Sequence, residues 1–167
     1  SKINFLKTHN CFLPYEGNYF TNKDQTLGVI YIVRDPRNLI TSLTHHYSLE
    51  YQEALNNMLD KNKTLIEKTA DNDHSNFTFL SSWSDHYKSW INNKIFATKV
   101  IKYEDLENNK YEIFRDLVVF INNLSKKNVS IDEKKLANST QSTNFVNLRN
   151  KEQNEGFEES IFSKKTG

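Results

Sequence analysis

Residues 28–47 read GVIYIVRDPRNLITSLTHHY, and the fold turns on this stretch. GVIYIV is a nearly unbroken run of β-branched and aromatic side chains, the composition of a strand covered on both faces, as in a parallel sheet. It ends at Arg34-Asp35-Pro36-Arg37. Pro36 suits the first turn of a helix and Asp35 its N-cap, and Leu39, Ile40, Leu43 and Tyr47 continue a helical period. The unit is strand, tight turn, helix.

Toward the N-terminus, residues 3–8 form a short apolar stretch that reads as another strand, ending in Lys7-Thr8-His9. Toward the C-terminus, residues 49–76 are polar. Helical patches at 54–59 and 65–69 suggest a surface excursion with a mobile tip near 71–75. Phe79, Leu80, Trp83, Tyr87, Trp90 and Ile91 then recur at helical spacing. Residues 97–102 read as a third strand, ending in Tyr103-Glu104-Asp105. Helices are expected over 112–124, with Ile113, Leu117, Phe120, Ile121 and Leu124 on the inner side, and over 132–138. Past Ser139 no period holds. Strands alternating with helices imply an α/β fold with a parallel sheet flanked by helices.

Composition narrows the classes. The chain has 167 residues, 37% hydrophobic and 13% aromatic, with 22 Lys plus Arg against 21 Asp plus Glu. That is one domain's worth of polymer, too aromatic for disorder, and its net charge of +1 gives no overall field for nucleic acid. Any anion site must be local. A single cysteine, Cys11, and no long apolar run suggest a reducing, cytoplasmic setting without a membrane span.

In an open parallel sheet, ligands gather at the carboxyl ends of the strands, where helix N-termini offer unpaired N–H groups. Arg34 stands at such an end, with Ser42 eight positions on. A guanidinium and a hydroxyl there suit an anion, whereas the plainer alternative pairs Arg34 with a carboxylate such as Asp35 or Glu104. His9 could act as a base, and Lys7 lies on the same side of its expected strand. His45, His46 and His86 lack any zinc-site spacing, so no metal is expected. Trp83 and Trp90 read as core residues.

Five motifs in order resemble the sulfotransferases that use 3′-phosphoadenosine 5′-phosphosulfate (PAPS). They are LKTH (6–9), YIVRDPRNLITSLTHHY (31–47), WSDHYKSW (83–90), KYEDL (102–106) and STNFVNL (142–148). The resemblance implies a P-loop-NTPase-like three-layer sandwich and transfer of a sulfuryl group from PAPS to a hydroxyl or amine acceptor. It makes His9 the general base and places Lys7 near the transferring group. It assigns Arg34 and Ser42 to the nucleotide 3′-phosphate, and Tyr103, Thr143, Asn144 and Phe145 to the adenine. Asn144 stands where the family usually has serine, and Leu148 where it has methionine.

The family's P-K-S-G-T-T loop and its R-K-G…G-D-W-K segment have no counterpart in the 167 residues. The expectation is therefore one partial domain over 1–167, with an incomplete sheet, little or no activity alone, and exposed edges that favour association between copies. The implied partner is a small-molecule or glycan acceptor. Its specificity would lie in residues 11–26 and 49–77, whose Phe12, Tyr15, Tyr19, Phe20 and Tyr51 could line a pocket or simply pack. The competing functions are a nucleotide or small-molecule kinase, which would need a G-x-x-x-x-G-K-[ST] loop, and a non-catalytic nucleotide-binding module.

Overall fold

In the computed structural model, which describes residues 3–66, 77–126 and 129–155, the centre is a parallel strand pair. β1 (Gly28–Val33) lies beside β4 (Ala97–Lys102), with Gly28 opposite Ala97 and Val33 opposite Lys102. Between them the chain forms α1 (Pro36–Tyr47), α2 (Tyr51–Leu59), the antiparallel strands β2 (Thr64–Ile66) and β3 (Phe77–Phe79), and α3 (Trp83–Ile91). After β4 come α4 (Tyr103–Asn108), α5 (Lys110–Ser125), α6 (Glu133–Ser142) and α7 (Phe145–Glu155).

The strand period of two sends alternate residues to opposite helical layers. Val29 and Tyr31 pack on the buried cluster of Phe12, Trp90 and Phe96, which places α3 over that face. Gly28 points the other way, where a Cβ would collide with Leu124 of α5 and come within 3.2 Å of the Ala97 carbonyl. Lys99 of β4 reaches Asp116 of α5 on the same side, at 3.2 Å. The parallel sheet is thus flanked by helices on both faces, as a three-layer α/β arrangement requires.

The turn after β1 forms as its residue types dictate. Asp35 caps α1, accepting the Arg37 amide at 2.9 Å, and Pro36 opens the helix. Ile40 then meets Ala54 and Met58 of α2 in a second core, joined by Leu39, Leu43, Leu49, Leu55 and Trp83. Residues 51–59 are therefore not a surface excursion. Their polar look comes from one exposed helical face, while fully buried Ala54 lets α1 and α2 approach.

Other expectations need correction. Residues 3–8 form no strand; Phe5 and Leu6 are 69% and 92% exposed, and the β1 ladder runs to β4. Leu65 lies in β2 rather than a helix, because Thr64–Ile66 finds a partner in Phe77–Phe79. Phe79 consequently belongs to β3. The next helix starts only at Trp83, where the Ser82 hydroxyl accepts the Asp85 amide. The described part of the C-terminal stretch without a period is also largely helical, as the end of α6 and as α7. The tip expected at 71–75 lies outside the described residues.

Candidate functional site

The carboxyl ends of β1 and β4 are tied together by side chains. Glu104, at the start of α4, accepts the Asp35 amide at 3.0 Å, and the Asn38 side chain also bonds it. These donors hold the Glu104 carboxyl below its ordinary range, the Asp35 amide contributing most. Asp35 is gripped by Arg37, through Nε to Oδ1 at 3.0 Å and Nη2 to Oδ2 at 2.5 Å. Arg37's side-chain bonds, then its amide, push the Asp35 pKa down to about 2.

Both carboxylates that might have neutralised Arg34 are therefore engaged by other groups. The Arg34 guanidinium lies instead over the Tyr103 ring, 4.8 Å from its centroid. Its Nε is buried without a hydrogen-bond partner. An unsatisfied buried donor on a cation suits an anionic acceptor. Ser42, half-buried, follows Asn38 by one helical turn, so it stands on the face of α1 that Asn38 turns toward Glu104.

His9 is exposed and lies in a segment held by α3 rather than by a ladder. The Thr8 hydroxyl accepts both the main-chain and side-chain amides of Asn10, closing a turn around His9. The His9 carbonyl is bonded by His86 Nε2 at 3.1 Å, and the Asn10 carbonyl by Trp90 Nε1 at 3.1 Å. The Phe12 amide donates to the Ser89 hydroxyl at 2.9 Å. From β3, Phe79 donates its amide to Asn10 Oδ1 and accepts the Cys11 amide, each at 2.8 Å. Lys7 is exposed two residues before His9.

Thr143, Asn144 and Phe145 sit at the junction of α6 and α7. The Thr143 hydroxyl returns to the Ser139 carbonyl at 2.9 Å, and its own carbonyl accepts Lys110 Nζ at 2.5 Å. That bond ties the junction to the start of α5, just past the short helix that begins with Tyr103. Asn144 Oδ1 accepts the Asn147 amide at 2.8 Å, so asparagine caps α7 as a serine would. Phe145 opens α7, and its side chain is outside the described set.

Sequence reasoning overlooked Glu104 and Asn38 as the link between strand ends, and His86, Ser89 and Trp90 as the support of His9. The aromatics of residues 11–26 make packing contacts, although Tyr15, Tyr19 and Phe20 stay partly exposed. Phe12 is buried, stacks on Trp90 at 5.2 Å and contacts Tyr19 at 5.0 Å, while Tyr15 meets Phe77 at 4.7 Å. Among the described residues no helix is long and apolar enough to cross a membrane.

A family model described as the sulfotransferase domain matches residues 1–166. No curated protein matches the chain significantly. Among solved structures, mouse sulfotransferase SULT7A1 complexed with PAP superposes with a TM-score of 0.55 at 23% identity. The match covers 82% of this chain and 45% of that one, so the chain spans under half the length of its structural neighbour.

Proposed function

Because the chain belongs to the sulfotransferase family, we propose that it carries the 3′-phosphate clamp and the acceptor base of an enzyme that sulfates a hydroxyl or amine. The observation that carries the reading is Arg34, stacked on Tyr103 with its Nε buried and unpaired at the joined ends of two parallel strands. PAPS, when bound, supplies the sulfuryl group. Arg34 and Ser42 are the groups for its 3′-phosphate, and Tyr103, Thr143, Asn144 and Phe145 those for its adenine. The neighbour's complex with PAP supports this choice of nucleotide.

The chain's own chemistry then follows from positioning and charge, as it does in phosphoryl transfer. His9 takes the proton of the acceptor hydroxyl as the oxygen forms its new bond to sulfur. Lys7 offsets charge on the oxygen that departs. The 167 residues form part of one domain, and the acceptor is a small molecule or glycan whose class is set by residues 11–26 and 49–77. Buried, unpaired Cys11 fits a reducing cytoplasmic setting.

The test is transfer of labelled sulfate from PAPS by the full-length protein and its His9→Ala variant. Loss of a general base lowers turnover by about 10²- to 10⁴-fold, with affinity for adenosine 3′,5′-bisphosphate preserved. Turnover near the parent's would remove His9 from that role. Stabilisation by ATP with magnesium, but not by adenosine 3′,5′-bisphosphate, would favour a kinase instead.

A further inference from the structure

His86 is half-buried between β1 and the His9 segment, and both of its ring nitrogens are used. Nε2 lies 3.1 Å from the His9 carbonyl, and Nδ1 lies 3.0 Å from the Tyr31 hydroxyl. A carbonyl only accepts, so Nε2 bears the proton. A neutral ring then leaves Nδ1 as an acceptor, and the Tyr31 hydroxyl must be its donor. The two rings are also stacked, 5.7 Å apart at 25°.

We propose that His86 is a positioning residue for His9: Tyr31 fixes its tautomer, and its Nε2–H anchors the His9 carbonyl so that the His9 imidazole is presented to the acceptor. This rests on the base role of His9 given above. Two further observations agree with it. Burial lowers the His86 pKa and outweighs the bond to the His9 carbonyl, which raises it, so the neutral ring is favoured. Burial likewise raises Tyr31 to about 12, so its hydroxyl keeps its proton.

The geometry explains why a main-chain contact can matter to a side-chain base. His9 has no sheet ladder to hold its backbone. The Thr8 turn on one side and the Trp90 bond to Asn10 on the other leave the carbonyl of residue 9 as the remaining anchor at the base itself. The same Tyr31 belongs to β1 and precedes Arg34 by three residues. The proposed base and the proposed phosphate clamp are thereby referenced to one strand.

The test compares His86→Phe, His86→Gln and Tyr31→Phe in the full-length protein, alone and with His9→Ala. His86→Phe removes both bonds. It should lower kcat about a hundredfold, the scale of a misplacement near 1 Å, while the KM for PAPS moves less than about threefold. His86→Gln keeps an N–H for the His9 carbonyl and should recover most of that loss. In the His9→Ala background, His86→Phe should cost nothing more, since the group it positions is gone. Nitrogen-15 NMR of the parent should show His86 as the neutral Nε2–H tautomer, shifting toward Nδ1–H in Tyr31→Phe. An Nδ1–H ring in the parent, a normal kcat in His86→Phe, or equal losses in the Phe and Gln variants would overturn the proposal. If His9→Ala abolishes turnover while His86→Phe does not, the His86 proposal alone falls. If His9→Ala is itself active, the base assignment falls first.

Discussion

Replacing Arg34 by alanine tests the proposed phosphate clamp with a magnitude that the geometry supplies. The guanidinium sits 4.8 Å over Tyr103, with its Nε buried and lacking an acceptor. A phosphate meeting that cation gains charge-assisted hydrogen bonding worth about 1.5–3 kcal/mol, or about 10- to 150-fold in affinity. A nucleotide without a 3′-phosphate should feel only the lost cation–π platform, about 0.5–1 kcal/mol or 2- to 5-fold. Calorimetric titration of the full-length protein with adenosine 3′,5′-bisphosphate and adenosine 5′-phosphate separates the two. Arg34→Lys should fall between parent and alanine for the bisphosphate, because an ammonium keeps the charge but loses the planar fork. Equal losses for both nucleotides would refute the reasoning.

Two predictions concern the scaffold of the site. Asp35, held at about 2 against an ordinary 3.8, contributes stability that is complete above about pH 4 and fades as pH falls toward 2. Asp35→Asn still caps α1 but has no charge to lose, so its melting temperature should vary less across that window; parallel curves for the two proteins would count against the Asp35–Arg37 pair. Gly28→Ala places a methyl against Leu124 and the Ala97 carbonyl and should cost about 1–3 kcal/mol in urea unfolding. Combining it with Leu124→Ala should recover part of that cost, and an unchanged midpoint in the single variant would mean the β1–α5 approach is looser than described.

The parts legible in the sequence are those where local chemistry and tertiary packing agree. Residues 28–47 carry a two-faced strand, a capping aspartate and a helix-opening proline within a few positions, and β1 and α1 form there with the expected bounds. β4 was equally readable. Leu65 and Phe79 were misread because a three-residue strand is too short to show a period, and only pairing across 64–66 and 77–79 decides its state. α2 reads as helical over 54–59 but as a surface element, because its buried side is small: Ala54 and Met58 carry little hydrophobic signal, yet they complete a core with Ile40. In the site, Arg34 and Tyr103 each stood out at a strand end, but their stacking joins residues far apart in the chain. His86 was weighed as a metal ligand because a histidine's partners are invisible in its neighbours; its partners come from β1 and from the segment before it.

The way the His9 segment is held bears on how such a site can be tuned. Ladder hydrogen bonds belong to the backbone, so no substitution other than proline removes one, and a base on a paired strand would be hard to adjust. Residues 9–12 are instead bonded to side chains of α3: His86 and Trp90 donate to the carbonyls of His9 and Asn10, and the Ser89 hydroxyl accepts the Phe12 amide while donating to the His86 carbonyl at 2.6 Å. Each is a separate group on one helix, and α3 is seated on Tyr31, Phe12 and Phe96 by the Trp90 ring. A change in one of these groups can shift the proposed base by a fraction of an ångström while leaving the β1–β4 pair, and with it the Arg34–Tyr103 stack, in place. Separable control of acceptor geometry and nucleotide affinity therefore follows from holding the base with a helix and the phosphate clamp with a sheet.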